Sequence, residues 1–216
     1  MSATGRHPSL AHLYGRLPAA DFLAQCPVSR AYFHKVLAAA ERGRFAVFGY
    51  GSLMWEPGFA PAFAHPALLY GYSRRPCIKS TVYRGTPRRP GLVFGLDAGG
   101  CCRGLALGLP AAGRRQIIRR LFVREMFQGV YRPVITRAHC IGRPAVRCLT
   151  FVADRSSPAY AGGLGIGRVR QMVLAAAGSR GSCLDYWRQT AVRLGESGIR
   201  WDPGFDLAAT VPGRRS

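Results

Sequence analysis

The sequence predicts an α+β fold, in which a mixed β-sheet or small β-barrel is flanked by helices. Two observations lead to this prediction. Short runs rich in β-branched and aromatic residues recur along the chain, separated by Gly, Pro and Arg. Apolar residues at helical spacing precede the first of these runs and follow the last one. The 216 residues, 48% apolar and 19% charged, suffice for one hydrophobic core and are unlike a disordered chain.

The predicted strands are short and lie close together in the middle of the chain. The first starts at Arg44 and runs through Tyr50 into a turn that contains Gly49 and Gly51. Further strands are predicted at Ala67–Tyr72, Leu92–Leu96, Leu105–Leu109, Val134–Ala138 and Arg147–Ala153. Residues 45–200 are therefore expected to form one folded domain, with an N-terminal helical extension over 1–44 and a C-terminal tail over 201–216.

Four helices are predicted around the strands. Ser29 is a candidate N-cap for the first helix, within the N-terminal extension. Pro110 is a candidate first residue for the second helix. The closing helices are predicted at Ile166–Ala177 and Leu184–Leu194, and Ser182 is a candidate N-cap for the last one.

The cysteines and apolar runs indicate a reduced, cytoplasmic protein. The seven cysteines form no C-x-x-C pair and the five histidines are scattered, so no structural metal is expected. The adjacent Cys101 and Cys102 are expected to be buried thiols. No apolar run approaches the roughly 18 residues that a membrane helix needs, and no secretory signal is visible at the start.

The charge is strongly positive. Lys plus Arg number 31, of which 29 are Arg, against 10 Asp plus Glu, for a net charge of +21. Such a surface is typical of a nucleic-acid or anionic membrane binder, or of a bias toward Arg without a charged ligand. The charge is spread over the body of the chain, and the densest cluster, Arg114–Arg124, places Phe122 on the core side of its helix. This distribution favours the second interpretation, with no specific nucleic-acid partner and no membrane partner.

Glu125 is the carboxylate that the periodicity singles out. The helix predicted from Pro110 has an apolar face made of Ile117, Ile118, Leu121, Phe122 and Met126, and Glu125 lies on that face. The arginines are expected mainly on the other side, at Arg115, Arg119, Arg120 and Arg124. Burial raises the pKa of a carboxyl group, as a general acid/base requires, but an ion pair with an arginine explains the position equally well. Most other carboxylates, Asp97 among them, fall in predicted turns, caps or helix ends.

The turn from Phe48 to Trp55 is the second candidate site. Glycines at the end of a strand allow a sharp turn that exposes backbone amides, and such a nest binds a carboxylate or an oxyanion. The hydroxyl of Ser52 adds a polar group there. The same pattern also occurs at strand ends without a ligand, and it is not a phosphate-binding loop.

Several segments together resemble the ChaC family of γ-glutamylcyclotransferases. The run from Val47 to Trp55, with the sequence VFGYGSLMW, resembles the family signature. Arg84-Gly85-Thr86, Arg124-Glu125-Met126 and Tyr131-Arg132-Pro133 then resemble further family segments in family order. The similarity spans about residues 45–196, and the N-terminal extension resembles the bacterial branch.

The resemblance implies a small mixed β-barrel with helices that breaks glutathione down to 5-oxoproline and Cys-Gly without a cofactor. Glu125 is then the catalytic acid/base. The implied substrate-binding residues are Val47, Phe48, Gly49, Tyr50, Gly51, Ser52, Leu53 and Tyr131. Tyr131 and Tyr160 are candidate hydroxyl donors, although each is also compatible with a core tyrosine.

Two positions depart from the family pattern. Tyr83 stands where many relatives have a polar residue or His, and Arg103 where relatives often have an apolar or small residue. The reaction type is unaffected, but the preferred substrate is left open. The alternatives are a cyclotransferase for another γ-glutamyl compound and a basic nucleic-acid-binding protein on the same scaffold. The oligomeric state is not predicted.

Overall fold

A computed structural model describes residues 27–126 and 128–200, which form a closed five-stranded barrel with four α-helices. The strands are β1 (Phe45–Gly49), β2 (Ala64–Ser80), β3 (Gly91–Gly108), β4 (Tyr131–Cys140) and β5 (Val146–Ala153). The helices are α1 (Pro27–Glu41), α2 (Arg114–Met126), α3 (Ile166–Ala175) and α4 (Cys183–Glu196). A 3-10 helix (Ser52–Met54) follows β1, and β6 (Ala177–Gly178) pairs with β7 (Gly181–Ser182). The predicted α+β class is confirmed.

The barrel is mixed because β1 pairs differently with its two neighbours. It runs antiparallel to β3 and parallel to β5, and the pairs β3–β2, β2–β4 and β4–β5 are antiparallel. One end of the barrel therefore carries the ends of β1, β2 and β5 and the starts of β3 and β4. The other end carries the starts of β1, β2 and β5 and the ends of β3 and β4.

Strand β3 is longer than the sequence indicates. The predicted strands Leu92–Leu96 and Leu105–Leu109, except for Leu109 itself, belong to one continuous strand that pairs with β2 along most of its length. Gly99 and Gly100, both with positive φ, lie between them, and the β2–β3 register shifts at this level. The glycines mark an irregularity within a long hairpin, not the end of a strand.

Both faces of β1 are buried. Ala46 and Phe48 belong to a cluster that fills the barrel and extends to α3 and α4. Phe45 and Val47 point the other way, into a cluster formed with apolar residues of α1 and α2. Burial on both faces explains why this strand reads as a continuous apolar run.

Several predicted helix ends differ from the structure, and one predicted N-cap is confirmed. Ser29 is not an N-cap, because α1 begins at Pro27 and Ser29 is buried inside it. Pro110 is not in a helix, because α2 begins at Arg114. Helix α3 ends at Ala175, before the predicted end at Ala177. Ser182 does cap α4, since its hydroxyl accepts a hydrogen bond from the Asp185 amide at 3.0 Å.

The remaining structural expectations concern cysteines, metals and membranes. The six cysteines in the described ranges are free thiols; Cys102 is buried, but Cys101 is exposed, so its predicted burial is wrong. Within the described ranges, no group of three His, Cys, Asp or Glu residues is arranged to hold a metal ion, and no helix is long and apolar enough to cross a membrane. Residues 1–26 and 201–216, which make up most of the predicted extension and all of the tail, lie outside the described residues, and the domain boundaries remain a prediction.

Candidate active site

A pocket opens at the end of the barrel where β1 and β2 end. Six elements bring residues to it: the 3-10 helix, the end of β2, the start of β3, the end of α2, the start of β4 and α4. Its lining residues are Ser52, Glu56, Ile78, Lys79, Ser80, Tyr83, Arg84, Val93, Arg124, Glu125, Gln128, Val130, Tyr131, Arg180 and Tyr186. We call it the Glu125 pocket.

Glu125 reaches the pocket from the last turn of α2. The apolar face of this helix is buried as its spacing predicts, and the Glu125 side chain on the same side is only 14% exposed. Burial raises the pKa of Glu125 above its ordinary value, and the nearby charges of Arg124 and Arg180 only partly offset this effect. The result is a carboxyl group suited to exchange protons with a ligand in the pocket.

Arg124 joins Glu125 to the turn after β1. Its Nε lies 3.0 Å from Glu125 Oε1, and its Nη2 donates to Ser52 Oγ at 2.9 Å. Its Nη1 donates to the carbonyl oxygen of Glu56. The prediction that Arg124 lies away from the core face is wrong, because its long side chain bends toward the pocket and is 21% exposed.

Three tyrosines lie near Glu125; Tyr50 and Tyr186 are buried, and Tyr131 is partly buried. The hydroxyl of Tyr50 donates to the carbonyl of Phe151 at 2.8 Å, and that of Tyr131 donates to the carbonyl of Phe94 at 3.1 Å. The Tyr186 hydroxyl accepts from the Phe94 amide at 3.2 Å. Burial raises the pKa of each tyrosine, so all three remain neutral hydroxyls beside the carboxyl group.

The turn after β1 approaches Tyr186 closely. A Cβ atom added at Gly51 would lie 2.8 Å from the Tyr186 hydroxyl oxygen, so a larger residue would displace one of them. The Met54 amide donates to the Gly51 carbonyl at 2.9 Å and closes the 3-10 helix. The first amides of this helix have no acceptor inside it, and Gly51 supplies no capping side chain. These amides are candidate donors to an anionic group.

Two further arginines fix the same turn from other elements. Arg74, buried in β2, donates from Nε to the Tyr50 carbonyl at 2.7 Å. Arg193 of α4 donates from Nε to the Met54 carbonyl at 3.0 Å. Together with Arg124, these hydrogen bonds hold the turn from three sides, which keeps its position relative to Glu125 constant.

The rim of the pocket is formed by the loop after β2 and the β6–β7 hairpin. The amides of Ser179 and Arg180 donate to the carbonyls of Val82 and Tyr83 at 2.8 and 2.9 Å. The Arg180 guanidinium lies 4.7 Å from the centre of the Tyr83 ring and 3.5 Å from Glu56. Tyr83 is one of the departures from the family pattern, and its ring makes a cation–π contact with Arg180 at the rim.

The structure separates the predicted site residues into two groups. Glu125, Ser52 and Tyr131 line the pocket. The other predicted substrate-binding residues do not line it: the side chains of Val47, Phe48, Tyr50 and Leu53 pack in hydrophobic clusters, and Gly49 and Gly51 belong to the backbone that leads to the 3-10 helix. The catalytic and substrate-binding roles of both groups remain predictions.

Tyr160 lies in a different polar cluster. Its hydroxyl donates to Asp97 Oδ2 at 2.9 Å, and Arg155 Nε lies 2.7 Å from Asp97 Oδ1. Asp97 is 6% exposed within β3, so its expected place in a turn or cap is wrong. Burial would raise the pKa of Asp97, but hydrogen bonds from Arg155, Tyr160 and the Ala98 amide outweigh that effect and lower it.

The sequence alone missed several groups at the site. Arg74, Arg180 and Tyr186 were not predicted as site residues. Arg74 lies beyond the predicted end of its strand at Tyr72, and only the observed length of β2 places it inside a strand. Arg180 lies in a two-residue turn, and no periodicity marks its direction. Tyr186 lies on the buried face of α4 and reads as an ordinary core residue.

Comparison with known proteins identifies the family of the chain. The family model described as ChaC-like protein matches residues 45–211. A glutathione-specific γ-glutamylcyclotransferase of Escherichia coli is 30% identical over 171 residues, which cover 79% of this chain and 74% of the relative. The human glutathione-specific γ-glutamylcyclotransferase 1 is 32% identical over 144 residues, 65% of each chain, so this protein spans just under two thirds of its length.

The fold is also shared with a solved structure. The crystal structure of a yeast γ-glutamyl cyclotransferase specific to glutathione superposes with a TM-score of 0.69 at 20% identity, covering 77% of this chain and 93% of the yeast chain. At that identity the likeness concerns the fold alone. The family match covers the barrel, the Glu125 pocket and the helices that close it, and the chain belongs to the ChaC-like protein family.

Proposed function

We propose that this protein is a glutathione-directed γ-glutamylcyclotransferase that converts glutathione to 5-oxoproline and Cys-Gly, with Glu125 as the general acid/base. The observation that carries the proposal is the buried Glu125 carboxyl group, held at the pocket by Arg124 and raised in pKa. The names of the Escherichia coli and human relatives support the choice of glutathione.

The reaction requires proton transfer and positioning, and no cofactor. The α-amine nitrogen of the γ-glutamyl group attacks its own γ-carbonyl carbon and closes a five-membered ring. Glu125 accepts the proton that the amine loses, then delivers it to the amide nitrogen of Cys-Gly as the C–N bond breaks. No water is consumed. Because both reacting groups belong to one molecule, the main task of the pocket is to hold a folded conformer.

The charges of the pocket fit such a substrate. Lys79, Arg84, Arg124 and Arg180 line it, against Glu56 and Glu125. Glutathione carries a carboxylate at each end, and guanidinium groups bind carboxylates with charge-assisted hydrogen bonds. The amides after Tyr50 and the Ser52 hydroxyl are proposed to hold the γ-glutamyl carboxylate or the oxyanion that forms on the γ-carbonyl. Tyr131 lines the same pocket, and its hydroxyl donates to the Phe94 carbonyl.

The decisive experiment measures release of 5-oxoproline from glutathione. Glu125→Gln preserves the shape of the side chain and removes proton transfer, so turnover should fall by about 10²-fold or more. Glu56→Gln is the matched comparison, because it removes the same charge from an exposed carboxylate of the same pocket; we expect a loss of only a few-fold. A Glu125→Gln protein that retains turnover within a few-fold of wild type would contradict the assignment.

The same assay measures the substrate preference. Parallel reactions with other γ-glutamyl amino acids test the alternative of a different γ-glutamyl substrate; a higher kcat/KM for one of them than for glutathione would replace glutathione in the proposal.

We propose a cytoplasmic enzyme without a specific nucleic-acid partner. Of the arginines in the dense α2 cluster, Arg114 bonds to the Ala40 carbonyl and Arg115 lies over the Phe33 ring, which supports structural roles for them.

A further inference from the structure

A second cavity, of about 470 Å³, lies at the end of the barrel opposite the Glu125 pocket. It is formed where β1, β2 and β5 start and where β4 ends, and it shares no lining residue with the Glu125 pocket. Ten residues line it: Arg44, Phe63, His65, Arg137, Cys140, Arg143, Pro144, Ala145, Val146 and Arg147. Four of these are arginines and none is acidic. We call it the arginine cavity.

Two arginines of this cavity face each other although their like charges repel. Arg137 and Arg147 are directly opposite each other in the antiparallel β4–β5 ladder, an arrangement that destabilises a sheet when the charges are alike. Arg44 immediately precedes Phe45, whose register partner on β5 is Arg147. The ion pairs found within the described ranges involve Arg124, Arg155, Arg180, Arg188 and Arg193, and none of the cavity arginines.

Arg44 is also oriented by aromatic residues. Its guanidinium lies 4.8 Å from the centre of the Phe63 ring, and that ring stacks on His65 at 4.9 Å. Phe63 is itself fixed, because the Gly108 amide donates to its carbonyl at 2.7 Å and its ring covers Gly108 so closely that a Cβ atom there would overlap it. The stacked rings of Phe63 and His65 therefore orient the Arg44 guanidinium at the cavity in the absence of a ligand.

We propose that the arginine cavity binds a small polyphosphate anion, of the chemical class of the triphosphate chain of a nucleoside triphosphate. Guanidinium groups bind phosphate oxygens in bidentate pairs, and several of them around one concavity match the closely spaced charges of such a chain. The volume falls in the range of small-molecule sites, roughly 300–1,000 Å³. Four arginines line this one concavity beside a single pair of stacked rings, Phe63 and His65, whereas a groove for a nucleic-acid strand carries a series of stacking aromatics, so a compact anion fits better.

Binding of inorganic tripolyphosphate to the full chain, measured by calorimetry at about 0.15 M salt, tests this proposal. Arg137→Gln with Arg147→Gln should weaken binding by about tenfold or more. The matched control, Arg168→Gln with Arg170→Gln, removes two exposed arginines from α3 and the same net charge, and should change binding by less than about twofold. An equal loss in both double variants, or no binding to wild type, would overturn the proposal.

Two further measurements keep the result unambiguous. Arg143→Gln, in the turn between β4 and β5, removes a cavity arginine without altering the strand ladder and should weaken binding about threefold. ATP is compared with tripolyphosphate: equal affinity assigns recognition to the phosphates alone, and tighter ATP binding adds a contact to the base, so both support the site. A single-stranded RNA oligonucleotide that displaces tripolyphosphate and binds more tightly at this salt concentration would instead identify a nucleic-acid surface and refute the proposal.

Discussion

The two ends of the barrel use the same residue type in opposite ways. At the Glu125 pocket, Arg74, Arg124 and Arg193 each donate to protein acceptors, and their hydrogen bonds fix the turn after β1. At the opposite end, four arginines surround a cavity with no acidic residue in its lining. The first three arginines position the turn, whereas the cavity arginines, which form no ion pair with the residues that the structure describes, are proposed to bind a ligand. The acceptors nearby decide which role an arginine has, and its position in the sequence does not.

Burial differs between the two ends as well. Glu125 is nearly covered, so each charge around it acts in a poorly hydrated environment and shifts its pKa. Arg44, Arg137 and Arg143 are exposed, and water and salt screen their mutual repulsion. Substitutions at the Glu125 pocket are therefore expected to have larger effects than substitutions at the arginine cavity.

After Glu125→Gln, the largest effect at the Glu125 pocket is expected for Gly51→Ala. Its Cβ atom would lie 2.8 Å from the Tyr186 hydroxyl oxygen but 3.8 Å from the ring carbon that carries it. If the turn must also leave room for the substrate, kcat/KM for glutathione should fall by about 10²-fold, because small displacements at a reacting site have effects of that size.

The double variant Gly51→Ala with Tyr186→Phe separates packing from substrate approach. Removing the hydroxyl oxygen relieves the only contact below 3.4 Å that the Gly51 Cβ would make with the residues that the structure describes. We expect the double variant to stay as impaired as Gly51→Ala, with Tyr186→Phe alone as the control and circular dichroism as the measure of folding. Recovery to the level of Tyr186→Phe would mean that Gly51 serves packing alone.

Arg124→Gln should have an intermediate effect, with a fall in kcat/KM of about tenfold at neutral pH. As a proton acceptor Glu125 must be ionised, so activity decreases as the pH falls through its pKa. The Arg124 charge lowers that pKa, hence its removal should move the acidic limb of the kcat/KM profile to higher pH.

Arg124→Lys provides the control for charge. It keeps the cation beside Glu125 but cannot donate to Ser52, Glu56 and Glu125 together. Its acidic limb should stay nearer to wild type while kcat/KM still falls. A pH profile of Arg124→Gln that coincides with wild type would show that Arg124 does not act on the ionisation of the catalytic group.

The smallest effect is expected at the arginine cavity, and it is a gain. Without a ligand, Arg137→Gln with Arg147→Gln should raise the free energy of unfolding by about 0.2–1 kcal/mol, because it removes a like-charge pair from the β4–β5 ladder. Urea denaturation measures this difference. The α3 double variant, Arg168→Gln with Arg170→Gln, is the control; an equal gain there would attribute the effect to net charge alone.

Local patterns in the sequence determined several features of this protein. The apolar spacing of α2 placed Glu125 on its core side, and the burial of that face confirms the pattern. Ser182, with Asp185 three residues later, marked the start of α4. The VFGYGSLMW run and the segments after it indicated the family, which the match over residues 45–211 confirms. Each of these signals is local, because capping, periodicity and a contiguous motif depend on residues within a few positions of one another.

Only the tertiary structure decided how distant segments meet. Barrel closure joins β1 to β5 across about a hundred residues, and the continuity of β3 through Gly99 and Gly100 depends on its partner β2. The direction of Arg124 and the burial of Asp97 depend on acceptors and donors from other elements. The arginine cavity combines residues 44, 63–65 and 137–147. Long-range pairing and long, flexible side chains leave no periodic trace in the sequence, so these arrangements become visible only when the chain is folded.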